Sequence, residues 1–347
     1  MDKYSHPPIF LGIDVHKKTY SVTALANGQI VKRDRLPASP KSLISYCQKF
    51  FPHSQVYTAY EAGFCGFFLH RELIANNINN IVVHPASIEI ASRDRVKTDK
   101  RDSLKIATQL AAGRLKCIYI PTQQREGYRA ITRLRDKLVR DRSRVSVQIK
   151  AFLNLNGMID HADTKKLTKK AVLEILEVDN NCERFYFIKS LSRQWLEIDK
   201  EIHFINAKLK EQASSEPELE KIYQSAPGIG QTVSRVLINE LGDMSQFRNE
   251  KSLFSYTGLT PQEYSSGEHT RQGHITRQGK AILRKVLVQA AWASIRKDGN
   301  LKTVYERISK TAGKKRAIIA VARRLIGHIR SCLQKKEVYR YADKVQH

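Results

Sequence analysis

The spacing of apolar residues changes character once along this chain, near residue 125, and that change fixes what each part can fold into. From residue 8 to about 121, short β-branched and aromatic runs alternate with amphipathic stretches. PIFLGIDVH, TYSVTALA and QIVKRDRL read as three successive strands, with Asn27-Gly28 as the hairpin turn between the second and third. SPKSLISYCQKFF reads as a capped helix, VYTAYEAG as a strand, GFFLHRELIANN as a helix and NNIVVHP as a strand. A helix over about 98–112 and a short strand, CIYIP, complete the pattern. Strands and helices in this order make a mixed α/β sheet with flanking helices.

After residue 125 the period lengthens. Ile131, Leu134, Leu138, Val145, Ile149 and Phe152 recur at intervals of three, four or seven, and Ile188, Leu191, Trp195, Ile198, Ile202, Ile205 and Leu209 alternate three and four without a break. That heptad seam predicts a coiled-coil arm, with the polar segment 160–181 as its tip or hinge. The seam can close within one chain or between two. A third segment, helical through most of its length, begins at Glu216-Pro217. The expected organisation is therefore an RNase H-like mixed-sheet domain over 1–124, a helical coiled-coil linker arm over 125–215, and a helical domain over 216–347; the opening succession of three strands is what suggests the RNase H-like fold.

With 60 Lys and Arg against 34 Asp and Glu, the 347-residue chain carries a formal charge of +26. A chain so charged repels itself unless a polyanion neutralises it. Hydrophobic residues make up 41% of the sequence, enough for a packed core, so the charge belongs to a folded protein and not to a disordered basic tail. From 271 to 347 there are 20 Lys and Arg against 4 Asp and Glu, which concentrates the electrostatic footprint at the C-terminal third. DNA or RNA is the expected polyanion, bound with the steep salt dependence of phosphate contacts. The five cysteines are odd in number and form no C-x-x-C pair, and no two histidines stand at H-x-x-x-H spacing, so carboxylates are the expected metal ligands. The polar start MDKYSHPP lacks a signal-peptide core and no run reaches the length of a membrane span, so a cytoplasmic protein without membrane contact is expected.

Four acids could supply the metal site. Asp14 interrupts the first apolar strand, an unusual place for a carboxylate; Glu61 ends the fourth strand; Asp99 and Asp102 stand three apart at the start of a helix and so share one face. Taken singly, Glu61 could be an ordinary strand-end acid, and Asp99 and Asp102 could simply complement a helix dipole. Together they form a cluster that divalent cations must neutralise. Mg²⁺ is the natural occupant, and two such ions clamp the attacking and leaving oxygens of a phosphodiester. Proofreading-type exonucleases also use four acids, but they place the second acid two residues after the first, where this chain has His16, and their His-x-x-x-Asp element is missing.

Two further segments could touch nucleic acid. Ala226-Pro227-Gly228-Ile229-Gly230 resembles a helix-hairpin-helix turn, in which Gly228 and Gly230 would let backbone N–H groups approach a phosphate, although a plain helix–helix turn has the same pattern. Tyr264-Ser265-Ser266-Gly267 is followed by Arg271, Arg277, Lys280, Arg284 and Lys285, with Gly273 and Gly279 loosening the chain between them. Clustered cations could activate a serine hydroxyl and stabilise a pentacovalent phosphate. By itself, a Ser-Ser-Gly is a loop.

GIDVHK, YEAG, TDKRDS, PGIG and the block GLTPQEYSSGEHTRQGHITRQGKAILRKVLV together resemble the transposases of the insertion sequence 110 family, relatives of the pilin-gene invertase. The resemblance implies a RuvC-like domain whose DEDD tetrad is Asp14, Glu61, Asp99 and Asp102, and a C-terminal domain whose catalytic serine is Ser266. The usual second glycine after that serine is replaced by Glu268, which leaves Ser265 as an alternative nucleophile. The family implies excision and insertion of a mobile element through a circular intermediate by Mg²⁺-dependent strand exchange, a transient phosphoserine link to DNA, a dimer or tetramer with a composite site in which the coiled-coil arm serves dimerisation, and a structured noncoding guide RNA. Two other readings remain at this stage: a junction resolvase or site-specific invertase working through metals without a protein nucleophile, and a nucleic-acid-binding scaffold on a degenerate nuclease fold.

Overall fold

The computed structural model describes residues 6–88, 99–159, 166–178, 183–266 and 269–341, with the backbone alone for 100 and 263–272. It divides into two compact units, 1–121 and 122–347.

In the first unit, β1 (Ile9–Val15), β2 (Thr19–Ala26), β3 (Gln29–Pro37), β4 (Val56–Glu61) and β5 (Asn79–Val83) form one sheet in the order β3-β2-β1-β4-β5. The β1, β2 and β3 pairings are antiparallel, while β4 runs parallel to both β1 and β5. Asn27 and Gly28, both at positive φ, make the tight turn between β2 and β3. Period-two alternation sends Ile9, Leu11 and Ile13 into a core shared with Leu43 of α1 (Pro40–Phe50) and with Leu69 and Leu73 of α2 (Phe68–Ala75). The opposite face takes α3 (Asp99–Ala111), where Ile106 packs with Ala59 and Val83. Here the close approach is decided by Gly12. A Cβ at that position would stand 2.1 Å from the Ser103 carbonyl oxygen and 2.4 Å from the Ala107 nitrogen. The CIYIP segment is not a strand: Cys117 makes a single antiparallel bridge with Val83, and the Ile118 N–H donates to the Val82 carbonyl at 2.8 Å. Pro121, lacking an N–H, could not carry the ladder past Ile120.

The second unit opens with two 33-residue helices, α4 (Gln123–Leu155) and, after the short α5 (Lys169–Glu177), α6 (Glu183–Ser215). Thr122 caps α4, its hydroxyl accepting from the Arg125 N–H. Rising numbers on α4 meet falling numbers on α6. Arg135 reaches Asn206 at 2.7 Å, Arg142 pairs with Asp199, and the Trp195 indole N–H donates to the Ser146 hydroxyl at 2.7 Å, so the two helices are antiparallel. The heptad residues Ile188 and Trp195 pack against Val145 and Ile149 of α4, which closes this part of the seam within one chain. Part of the segment expected as a tip or hinge is helical, with α5 burying Val172 in the same cluster; residues 160–165 and 179–182 lie outside the described residues.

The remaining helices are α7 (Pro217–Ser225), α8 (Gln231–Leu241), α9 (Glu250–Thr257), α10 (Ala281–Ser294), α11 (Gly299–Ala312) and α12 (Lys314–Lys335), packed around Tyr223, Leu237, Leu253, Leu287, Leu325 and Ile329. Between α9 and α10 lies an antiparallel hairpin, β6 (Pro261–Ser266) and β7 (His269–Ile275), where the sequence suggested only a loop. Several arginines are consumed by this architecture. Arg133 donates twice to the fully buried Glu240, at 2.6 and 2.8 Å, while Arg129 donates to the Asn239 and Glu240 carbonyls at the C-terminus of α8. Cations at that end of a helix satisfy its free carbonyls and complement its dipole. Arg235, also fully buried, pairs with Glu216 and Glu220. No helix among the described residues is long and apolar enough to cross a membrane.

Candidate catalytic site

Strand register assembles the site in the first unit. Arg35 of β3 pairs with Ser21 of β2, and Ser21 with Asp14 of β1, so the three share one lateral row. On the other side of β1, Ile13 pairs with Tyr60, and the next residues along these parallel strands are Asp14 and Glu61. Alternation places Asp14 on the same face as Gly12, and Glu61 on the same face as Ala59, which packs on Ile106 of α3. Both acids therefore belong to the face that α3 covers, and α3 opens with Asp99 and Asp102 in its first turn.

Side-chain contacts draw Asp14 and Asp99 together. His16 Nε2 stands 3.0 Å from Asp14 Oδ2 and 3.3 Å from Asp99 Oδ1, and one ligand atom from each of these three residues lies within 4.8 Å of the others. Arg35 donates to Asp99 Oδ2 at 2.7 Å. Asp102 is 3.6 Å from the Lys105 ammonium. Neither Asp102 nor Glu61 belongs to the close group, and the Glu61 side chain is exposed at the strand end. Burial raises the pKa of Asp14; His16 opposes this, and the carboxylates of Asp99 and Asp102 add to it. A carboxylate so placed gains from a nearby cation. The oxygens of Asp14 and Asp99 suit a hard divalent ion, which would compete with His16 and Arg35 for them. The donor set thus fits a metal, with Asp14 and Asp99 as its first holders.

His16 and Arg35 were not singled out as site residues from the sequence. A histidine two positions after a strand aspartate falls on the same face, which is a usable signal for His16. Arg35 lies 64 residues from Asp99, and only the sheet register connects them.

The other candidates lie in the second unit. Ser265 and Ser266 end β6, in register with Thr270 and His269; their side chains, that of Arg271, and all of Gly267 and Glu268 fall outside the described residues. Gly228 adopts φ +77°, and a Cβ there would meet the Ala290 carbonyl oxygen at 2.4 Å, so the PGIG turn serves the packing of α10; Gly230 caps α8 and has open space around it. Gly279 does not loosen the chain, because a Cβ there would stand 2.2 Å from the Tyr256 carbonyl oxygen. Arg284 donates to the Gly279 carbonyl at 2.6 Å, and Lys285 pairs with Asp136 at 2.7 Å, so both have intramolecular partners. Burial lowers the pKa of Lys280, and Arg133 and Arg129 push the same way against Glu240. Arg277 is exposed, at a positive φ of 57°.

A mixed sheet of order β3-β2-β1-β4-β5 with carboxylates along one row, beside a helix that opens on two more, is consistent with a domain of the RNase H-like DEDD class. Residues 11–156 match the DEDD transposase family of IS110 type, and residues 220–306 match the family described as transposase IS116/IS110/IS902. The chain belongs to the IS110/IS116/IS902 family of transposases, DNA-cleaving and strand-transfer enzymes. Among its relatives, the transposase for insertion sequence element IS1533 of Leptospira borgpetersenii is 26% identical over 82% of this chain and 84% of its own length. The transposase for insertion sequence element IS1111A of Coxiella burnetii is 25% identical over 70% of this chain and 68% of its own. A protein of Sinorhizobium fredii that carries a transposase designation is 27% identical over 82% of this chain and 71% of its own length.

Proposed function

We propose that this insertion-sequence transposase cuts and rejoins element ends using Mg²⁺ held by Asp14, Glu61, Asp99 and Asp102 together with a serine nucleophile, Ser266, with Ser265 as the alternative. The observation that carries the metal half is the convergence of Asp14 and Asp99, distant in sequence, on one face of the sheet with His16 between them. When bound, Mg²⁺ would offset the charge that develops on the scissile phosphate. His16 and Arg35 hold the Asp14 and Asp99 carboxylates in position. The serine half rests on the family resemblance of the block around Ser266 and on the cations that follow it. In that step the serine oxygen loses its proton and bonds to phosphorus, the P–O bond to the neighbouring sugar breaks, the leaving sugar oxygen takes up a proton as a free hydroxyl, and the phosphate-bearing DNA end stays joined to the protein.

Within this reading the working division of the chain is 1–124, 125–215 and 216–347. The antiparallel α4–α6 pair serves as a coiled-coil arm that brings protomers together as a dimer or tetramer. The charge of +26 leaves room for a structured guide RNA beside duplex DNA. Exposed Arg277, with Arg271, Lys280, Arg284 and Lys285, and the Gly228–Gly230 turn, are assigned to the nucleic-acid surface. Lys285 would have to exchange Asp136 for a phosphate.

Trapping on a nicked suicide substrate with Mg²⁺ tests the chemistry. Wild-type protein is expected to form a covalent adduct whose peptide map ends at Ser266. Ser266→Ala is expected to abolish the adduct and Ser265→Ala to retain it; the reverse pattern transfers the role to Ser265. Cleavage with free ends in both single variants and in the double variant would replace the serine mechanism with direct hydrolysis.

A further inference from the structure

The surface of α10 has one residue that its packing does not require. The helix buries Leu283, Val286, Leu287, Ala290, Ala291 and Ser294, and its solvent side is the stripe Ala281, Lys285, Gln289 and Trp292. Three of these four are small or hydrophilic, as a solvated face should be. Trp292 is the exception, 43% exposed on a helix whose core contacts are complete without it. A single exposed apolar side chain is ordinary, but the surroundings of this one are not. Tyr305 of α11 meets the indole edge-on, with centroids 5.6 Å apart and planes at 62°, an arrangement that fixes the ring from one side. Arg296 and its neighbour Lys297, in the turn that directly follows α10, are exposed and form no ion pair among the described residues.

A pinned aromatic face beside unpaired cations, in the segment where 20 Lys and Arg face 4 Asp and Glu, fits one ligand chemistry. The base stacks on the indole and the backbone phosphates meet the guanidinium and ammonium groups. Duplex DNA keeps its base faces inside its own stack, so the match is to an unpaired nucleotide. A strand-transfer enzyme exposes unpaired DNA when strands are cut and exchanged. We infer that Trp292, with Arg296 and Lys297, is a stacking platform for single-stranded DNA, separate from the acidic and serine residues of the proposed chemistry.

The protein has two tryptophans, and the other, Trp195, is only 5% exposed, so intrinsic fluorescence reports on the platform. Titration with oligo-dT is expected to quench the emission of Trp195→Phe protein, in which Trp292 is the remaining fluorophore, and to leave Trp292→Phe protein unquenched. Trp292→Ala is expected to weaken oligo-dT binding at least about fivefold, the lower end of the stacking range, with duplex affinity unchanged. Arg296→Ala is expected to reduce the single-strand salt slope by about 0.7. Because Trp292→Ala also removes the Tyr305 contact, the quenching of the Trp195→Phe protein stands as a readout that leaves the platform intact. Absence of that quenching, an equal loss on duplex and single strands, or oligo-rU binding at least as tight as oligo-dT would each overturn the inference. The same quenching is expected in Asp14→Asn protein, so failure of the platform and failure of the metal chemistry are separately visible.

Discussion

Asp14→Asn is expected to lower strand cleavage and transfer by about a thousandfold or more while DNA binding is retained. The substitution keeps the size of the side chain and removes the charge that would hold a divalent ion. Metal stabilisation of phosphoryl charge is worth several kcal/mol, and each 1.36 kcal/mol is a factor of ten in rate. The fold should not suffer. Asp14 is half-buried beside the carboxylates of Asp99 and Asp102, so its charge is held at a cost that only His16 offsets directly. Thermal unfolding without metal is therefore expected to show an unchanged or raised midpoint, a separation of activity from stability that a structural aspartate would not give. Chelation of divalent ions should reproduce the activity loss in wild-type protein, and added Mg²⁺ should restore it there but not in the variant. Full activity of Asp14→Asn in Mg²⁺ would remove this residue from the chemistry.

Gly12→Val is expected to destabilise the first unit by about 3 kcal/mol or more and to abolish activity with it. Overpacking a core ordinarily costs 1–3 kcal/mol. Here the obstruction is backbone, at 2.1 and 2.4 Å from the first added carbon, so no side chain can rotate away and α3 itself must lift from β1. That movement would carry Asp99 and Asp102 away from Asp14, because the helix start that bears them is set by this contact. Urea unfolding followed by circular dichroism gives the measurement. Gly127→Ala, in α4 with open space around its Cβ, serves as the contrast and should be neutral or stabilising by up to about 1 kcal/mol. A Gly12→Val protein as stable and active as wild type would mean that the helix–strand approach does not set the site.

How much of this was legible beforehand depends on which interactions are local. The three opening strands, the turn at Asn27 and Gly28 and the helix starting near Asp99 follow from alternation and turn chemistry, both encoded within a few residues. CIYIP has strand composition, yet it makes a single bridge, from Cys117 to Val83 at the end of the last sheet strand. The β6–β7 hairpin was missed for the opposite reason. Its strands carry Gln, Glu, Ser, His and Arg with little apolar alternation, so its pairing left no pattern to read. The basic residues gave charge but not availability: the sequence could not say that Lys285 faces Asp136 or that Arg284 holds the Gly279 carbonyl.

Residue order alone determined the mixed sheet, the long helices and the excess of cations, and it offered four acids as candidates, because periodicity and charge are properties of neighbours along the chain. Only the tertiary structure decided that Asp14 meets Asp99 through His16, that Arg35 completes the contact, and that Glu61 and Asp102 stand outside the closest group. Those outcomes depend on the register of three antiparallel strands and on how closely one helix can sit against a glycine, distances that no local pattern contains.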